Sequence, residues 1–183
     1  MIDTDVLDRV LARAVRSGAG FAEVFAEDRR STSLAFDDGR VDRVTSGRDR
    51  GAGIRVVNGS TTGYAHTADL SETGLLAAAD AAVAAAGSGS DGQRVVGPVG
   101  ARDDGARHSP VATPPAEIAK SARVDLLLAA DEAARSAGAE IVQVSAGVGD
   151  TRRSVLIANT DGVHVADDVT RVLFRVSAVA DGD

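Results

Sequence analysis

Apolar residues near the start of the chain recur every three or four positions, a spacing that places them on one face of a helix. They are Val6, Leu7, Val10, Leu11, Ala14 and Val15. Asp3 or Thr4 can cap the start of this helix, and Gly18 can end it in the left-handed conformation that glycine adopts readily. The pattern therefore predicts an amphipathic helix at the beginning of the sequence.

The pattern next changes to short runs rich in Val, Phe, Ile and Thr, which are residues that favour strands. Asp-Gly and Asn-Gly pairs lie between some of these runs and favour the positive φ angles of hairpin turns. The runs are FAEVFAE, STSLAFDD, GRVDRVTS, GAGIRVVNGS and TTGYAHT. They predict an antiparallel meander of short strands.

An alanine-rich stretch, LLAAADAAVAAA, follows the meander. Asp69 or Ser71 can cap it and Gly87 can end it, so it predicts a second helix whose small side chains suit close packing on a sheet. The composition then shifts to Gly, Ser, Asp, Arg and most of the prolines. We therefore predict a first unit over residues 1–86 and a linker over residues 87–115.

The second half repeats this order of elements. Thr113, two prolines and Glu117 are typical of a helix start, and an apolar stripe continues from there toward Gly138. The strand-like runs that follow are EIVQVSA, RSVLIANTDG, VHVADD and RVLFRVSAVA. We predict a second unit over residues 116–183 that is similar to the first. The shared plan is compatible with a duplication and also with coincidence, because the pattern is common in α+β proteins.

Together these elements predict an α+β fold. Two helix-plus-meander units most easily share one antiparallel or mixed sheet whose apolar face is covered by the helices. Hydrophobic residues make up 44% of the chain but aromatic residues only 3%, so the core must be packed from Ala, Val, Leu and Ile.

The charge and the cysteine content exclude several classes of function. The 183 residues carry 20 Lys and Arg against 27 Asp and Glu, a net charge of -7, which disfavours binding to nucleic acid. The absence of cysteine excludes thiolate metal sites and cysteine nucleophiles. The first residues lack a basic signal region, and no stretch reaches the roughly 18 apolar residues of a membrane span. We expect a cytoplasmic protein without membrane contact.

The sequence contains no arrangement that clearly predicts catalysis. GSGSDG, beginning at Gly87, matches a dinucleotide fingerprint formally, but it follows a helix and better fits a linker. His66, His108 and His164 are isolated from one another, so a zinc site within this chain is not expected. His66 and His164 each lie three residues from an aspartate, which on a strand places the partners on opposite faces.

Two long stretches of the sequence resemble the N-terminal region of the TldD/PmbA family. GAGFAEVFAEDRRSTSLAFDDGRVDRVTSGRDRGAGIRVVNGSTTGYAHTADLS is similar to its opening domain, and VQVSAGVGDTRRSVLIANTDGVHVADDVTRVLFRVSAVADGD to its end. The most specific positions are Gly53, Ile54, Arg55, Gly63 and Tyr64. The phrases TTGYAHT and ANTDGVHVADDVTRV favour a TldD-like over a PmbA-like (TldE-like) subunit.

This resemblance implies a zinc peptidase subunit, part of a heterodimer of TldD-like and TldE-like subunits that acts on unfolded peptides. The family's zinc ligands come from an HExxxH helix and a later cysteine, both downstream of the region matched here. Zinc is therefore expected in a C-terminal domain of a longer parent protein and not in this chain. The strand-like end of the sequence is expected to be followed by that domain, and the alternative is a stand-alone relative without chemistry.

The resemblance also indicates where contacts with peptide or with other domains are expected. Arg55, Tyr64 and His66 are the polar or aromatic residues of the most family-specific strands, and the alternative is that they merely complete a sheet face. Structural turn positions are expected at Gly53, Gly63, Asp161 and Gly162.

The chain itself is expected to be non-catalytic and to help enclose the active site of the parent protein while admitting unfolded peptide. The alternative is a binding module that modulates a partner such as DNA gyrase without proteolysis, since family members also carry that label.

Overall fold

A computed structural model describes residues 2–87 and 111–182. Its three helices are α1 (Thr4–Val15), α2 (Glu72–Ala86) and α3 (Lys120–Arg135), and a 3-10 turn covers Pro115–Glu117. Its strands are β1 (Phe21–Asp37), β2 (Arg40–Asn58), β3 (Thr61–Thr67), β4 (Ile141–Asn159) and β5 (His164–Ala180). They form one five-stranded sheet in the order β3-β2-β1-β4-β5. The predicted α+β fold with an antiparallel sheet is confirmed.

The predicted meander is wrong in its number of strands, because runs that we separated form single long strands. FAEVFAE and STSLAFDD both belong to β1, and GRVDRVTS and GAGIRVVN both belong to β2. The second half behaves in the same way in β4 and β5. The polar residues between these runs lack the positive φ angles of a tight turn and continue the extended backbone instead.

Three of the predicted helix boundaries have the expected geometry in the structure. The Ser71 hydroxyl accepts a hydrogen bond from the Gly74 N–H at 3.2 Å, at the start of α2. Gly87 ends α2 with a φ of 73°, and Gly18 follows α1 with a φ of 90°. The helix predicted from Thr113 begins later than expected, because Ile118 is extended and α3 starts only after it.

Contacts divide the chain into two compact units. The first contains the described residues of Met1–Asp28, Asp49–His108 and Ser154–Asp168, and the second those of Arg29–Arg48, Ser109–Arg153 and Val169–Asp183. Each compact unit therefore takes residues from both halves of the sequence. The division at 1–86, 87–115 and 116–183 stays a prediction, and residues 88–110 of the predicted linker lie outside the described residues.

The core of the first unit lies between its two helices and one face of its strands. Helix α1 contacts α2, and α2 contacts β3. The largest fully buried side chains here are aliphatic, as the composition predicts: Leu7, Val10, Leu11, Val24, Ile54, Val56 and Leu75. The alanine-rich face of α2 lies so close to β3 that a Cβ built on Gly63 would be 1.9 Å from the Ala82 carbonyl oxygen.

The second unit has a smaller core on α3. Leu127 is fully buried, and Val124 packs beside it. They contact a cluster of strand residues: Leu34, Phe36, Ala146 and Val148. Arg123, one turn before Leu127 on the helix, is buried and forms an ion pair with Asp150 at 2.5 Å.

Two ion pairs join the helices of the first unit. Arg9 binds Glu72 at 2.6 Å and Arg13 binds Asp80 at 2.5 Å. The hydrogen bond from each guanidinium is the main cause that lowers the pKa of its carboxyl partner. Both carboxylates are therefore held in the charged form that the helix pairing needs.

We predict that the first unit loses stability in acid through these pairs. A carboxyl whose pKa is lowered by folding stabilises the folded state above its ordinary value, 3.8 for Asp80, and this contribution is lost as the pH falls through the folded value. Thermal unfolding followed from pH 7 to pH 2 should show a shallower acid dependence in Asp80→Asn. Adding Arg13→Gln to that variant should change the pH dependence no further, and a clear additional change would contradict the pairing.

Candidate functional site

One face of the sheet in the first unit faces away from the helices. Successive strand residues point to opposite faces, and Ala22, Val24 and Ala26 of β1 are buried in the core. The intervening residues Phe21 and Phe25 therefore lie on the other face, which we call the bare face. Phe25 is 36% exposed.

The structure brings the three predicted contact residues together on this bare face. Arg55 of β2 lies opposite Tyr64 of β3, and Gly53 lies opposite His66. Residues directly opposite in an antiparallel pair share a face, and residues two apart on one strand do so too. Tyr64 is 62% exposed, and His66 is exposed as well.

Arg55 is partly engaged by its neighbours on β1. Its Nη2 lies 3.3 Å from the Glu23 Oε1, and its guanidinium carbon lies 5.5 Å from the centre of the Phe21 ring. These contacts hold the side chain over the sheet. These contacts favour the alternative stated above, in which Arg55 only completes the sheet face. Tyr64 and His66 are exposed and remain accessible to a ligand.

A groove of about 370 Å³ runs along Tyr64 and His66. Two of its lining residues are glycines with close neighbours: a Cβ on Gly53 would lie 2.2 Å from the Tyr64 hydroxyl oxygen, and one on Gly51 would lie 2.9 Å from the Thr67 carbonyl oxygen. Four more of its lining side chains combine one ring with both signs of charge: Phe25, Glu27, Asp49 and Arg50.

These four lining residues were missed by the sequence reasoning. The alternation in FAEVFAE places Phe21, Glu23, Phe25 and Glu27 on one face, so a signal for two of them was present. Asp49 and Arg50 have no such signal, because their run was interpreted as the break between two strands. Their place beside His66 depends on how far β2 extends.

Two of the four expected turn positions lie inside strands, and two lie between strands. Gly53 and Gly63 lie inside β2 and β3, where the reason for glycine is the close approach of Tyr64 and of α2. Asp161 and Gly162 do form a turn between β4 and β5. The Asp161 N–H donates to the Asn159 side-chain oxygen at 3.0 Å, and Gly162 has a φ of 84°.

Asp69, near His66 in sequence, and Asp168, near His164, both accept hydrogen bonds from serine residues. Asp69 accepts a hydrogen bond from the Ser71 N–H at 2.9 Å, and this bond is the main cause that lowers its pKa. Asp168 accepts a hydrogen bond from the Ser154 hydroxyl at 2.9 Å.

The described residues do not fit a zinc site. Zinc needs three or four close His, Cys, Asp or Glu ligands. Within residues 2–87 and 111–182, no group of three such side chains is placed to hold a metal. His108 lies outside the described residues, and the expectation that this chain holds no zinc stays a prediction. No helix in the same residues is long and apolar enough to cross a membrane.

Comparisons with known proteins agree over most of the chain. Residues 22–86 match the model of the PmbA/TldA metallopeptidase domain 1, and residues 113–183 match that of the PmbA/TldA metallopeptidase central domain. The Metalloprotease TldD homolog of Haemophilus influenzae is 28% identical over 163 residues, covering 86% of this chain and 32% of that protein. A metalloprotease of Methanothermobacter thermautotrophicus is 28% identical over 179 residues, covering 98% of this chain and 38% of that protein.

Solved structures share the fold at low sequence identity. The structure of a candidate modulator of DNA gyrase from Thermotoga maritima superimposes with a TM-score of 0.75 and 19% sequence identity. The match covers 97% of this chain and 40% of the Thermotoga maritima chain. The structure of TldE from Thermococcus kodakarensis superimposes with a TM-score of 0.64 and 16% sequence identity, and the match covers 96% of this chain and 43% of the TldE chain. The chain spans about a third of the length of the curated relatives it matches. With both family models in the expected order, the chain belongs to the PmbA/TldD family and carries its first and central domains.

Proposed function

We propose that this chain is the non-catalytic N-terminal part of a TldD/PmbA-type metallopeptidase subunit, where it helps enclose the active site and admits unfolded peptide. The observation that carries the proposal is the groove on the bare face, found in a chain whose relatives are named metalloproteases. Zinc would be held by a C-terminal domain of the parent protein, as the resemblance to the family implies, and the relatives named metalloproteases support a metal in the parent protein.

The groove has the features that an extended peptide needs. Tyr64 and Phe25 offer ring surface to apolar side chains, and the charges at Asp49 and Arg50 can meet a polar peptide backbone or its ends. The groove is lined partly by β3, which is the terminal strand of the sheet order. A terminal strand can pair with an extended segment through backbone hydrogen bonds.

The parent protein would act in a TldD/TldE-type assembly in the cytoplasm. Partners would be its own C-terminal domain and a TldE-like or TldD-like subunit, with this chain on the TldD-like side. Support comes from the relative named TldD homolog and from the fold shared with TldE.

We predict that Tyr64→Ala combined with His66→Ala impairs cleavage of unfolded peptides by the complete subunit with its partner. Truncating exposed ring contacts at a binding surface costs on the order of 1–2 kcal/mol, so kcat/KM should fall about tenfold, mainly through KM. Zinc content should not change. Steady-state kinetics with unstructured peptides of several lengths measures this.

Thr62→Ala is the matched control for this experiment. Thr62 is exposed on the same strand and the same face, opposite Val57, but it does not line the groove. It should leave kcat/KM unchanged. Equal kinetics for the double variant and the wild-type protein at every peptide length would remove Tyr64 and His66 from the peptide path.

The second candidate function is a binding module for a partner such as DNA gyrase, favoured by the description of the Thermotoga maritima structure. In that case this chain alone should bind gyrase, the double variant should lose that binding, and the complete subunit with its partner should show no peptide cleavage.

A further inference from the structure

The second unit has a groove on the face of its strands that lies opposite to α3. Leu34 and Val148 are buried in the core on α3, so the alternate residues of β1 and β4, including Ser33, Gly147 and Gly149, point to the other face. A groove of about 320 Å³ lies there over β4, between β1 and β5. All of its lining residues belong to the second unit.

This groove continues along the strands. Gly147 and Gly149 of β4 contribute no side chain to it, and β5 lines it with Leu173 and Arg175. A neighbouring groove of about 370 Å³ shares Gly149 and Leu173 with it and reaches Arg171 further along β5. We call the two together the arginine groove.

The two arginines give this groove an excess of positive charge. Within residues 2–87 and 111–182, neither the Arg171 nor the Arg175 guanidinium forms an ion pair or a hydrogen bond, and both residues are exposed. Asp150 also lines the groove, but its carboxylate is already paired with Arg123 at 2.5 Å. The arginine groove is therefore complementary to a ligand with negative charges.

The spacing of the two charges favours an extended ligand. Arg171 and Arg175 are four residues apart on one strand, so their side chains take the same face and their Cα atoms lie about 13 Å apart. Two acidic residues four positions apart in an extended peptide have the same separation. On a helix the same two residues would be only about 6 Å apart along the axis.

We propose that the arginine groove binds an extended acidic segment of the unfolded peptide, with carboxylates on Arg171 and Arg175. Guanidinium–carboxylate hydrogen bonds are charge-assisted, and the hydroxyl groups of Ser31 and Thr151 line the same groove and can bond to the peptide backbone. The proposal rests on the proposed function, because it takes unfolded peptide as the ligand, and it adds a preference for acidic sequences. Nucleic acid is the other extended anion, and the net charge of -7 disfavours it.

Binding of short labelled peptides to the chain of residues 1–183, followed by fluorescence anisotropy, tests the proposal. One unstructured peptide carries two Asp residues four positions apart, its isomer carries them next to each other, and a third peptide has Asn in their place. The first peptide should bind most tightly, and added salt should reduce its advantage because salt screens exposed charges. Equal affinities, no binding of the first peptide, or tighter binding of a DNA oligonucleotide with the same charge would overturn the proposal.

Removing the arginines should weaken binding of the first peptide. Arg171→Gln and Arg175→Gln should each raise the dissociation constant about threefold, and the two together about tenfold. Arg43→Gln is the matched control, since Arg43 is an exposed arginine of the same unit that lines neither part of the groove. A loss of the same size in the control would show a general effect of charge and would count against the groove.

Filling the groove without changing its charge gives an independent test. Gly147 has no positive φ, and the nearest atom to an added Cβ is the Leu34 carbonyl oxygen at 3.5 Å, which is ordinary contact. Gly147→Val should therefore keep the melting temperature of the wild-type chain while its methyl groups occupy the groove, and binding of the first peptide should be lost. Unchanged affinity in this folded variant would contradict the proposal.

The same binding measurement on the complete subunit with its partner, with the metal removed by a chelator, separates this proposal from the proposed function. The first peptide should bind there as it binds to the chain of residues 1–183. Binding that is lost in the complete subunit would mean that another part of the subunit occupies the groove, and it would overturn the proposal. Binding that is retained in a subunit that cleaves no peptide when loaded with metal would support the groove and remove the proposed function instead.

Discussion

Gly63→Ala should lower the free energy of unfolding by about 3 kcal/mol, because the first unit has no space for a single added methyl group. The new Cβ would lie 1.9 Å from the Ala82 carbonyl oxygen and 2.4 Å from the Ala86 nitrogen. Both atoms belong to the backbone of α2, so no side chain can rotate away. The helix would have to move off β3 and open the core around Leu75.

Gly47→Ala is the matched control for this variant. Gly47 also lies inside a strand and its φ is not positive, but the nearest atom to its added Cβ is the Ser31 hydroxyl oxygen at 3.7 Å. This is ordinary contact, and the stability should stay within about 0.5 kcal/mol of the wild type. Urea unfolding of the three chains measures both effects. A Gly63→Ala chain as stable as the control would show that α2 does not pack on β3 as described.

Arg123→Ala should lower the free energy of unfolding by about 3 to 5 kcal/mol, which is typical of breaking a buried ion pair by removing one partner. The Arg123 side chain is 9% exposed and that of Asp150 is 13% exposed. One guanidinium nitrogen binds Asp150 at 2.5 Å, and another donates to the Pro115 carbonyl at 2.6 Å. In the variant, the Asp150 carboxylate and the Pro115 carbonyl each lose the hydrogen bond that Arg123 donates.

Two comparisons separate this effect from a general loss of charge. Arg9→Ala removes an exposed pair with Glu72, in which the side chains are 52% and 41% exposed, and it should cost much less than Arg123→Ala because solvent screens exposed charges. Removing Arg123 and Asp150 together should cost less than the sum of the single changes, since neither partner is then left alone. Additive effects in this double-mutant cycle would contradict the ion pair.

Local sequence signals predicted the ends of elements well. The Ser71 cap, the glycines after α1 and α2, and the hairpin turns at Asp38-Gly39 and Asn58-Gly59 all appear in the structure. Asp38 even adopts a positive φ of 46°, which the primed hairpin turns demand of the residue before Gly39. These features depend on one to four neighbouring residues, so the sequence contains all the information they need.

The candidate site was predicted only in part. Tyr64 and His66 were identified because they lie in a short strand with a distinctive sequence, and alternation alone places them on one face. Phe25, Asp49 and Arg50 come from two other strand segments, and their position beside the groove depends on pairing between residues far apart in sequence. Alternation says which face a residue takes, but not which residue of another strand lies next to it.

The sequence by itself determined the helix periodicity, the capping residues, the tight turns, the aliphatic core and the family. Only the tertiary structure decided that the polar runs at residues 28–30 and 47–50 continue strands β1 and β2. It also showed that Gly53 lies against the Tyr64 side chain and that Gly63 lies against the backbone of α2. Both glycines lie inside strands. The physical reason is that caps and turns are satisfied by neighbouring backbone groups, whereas strand length, register and close packing are set by partners distant in the chain.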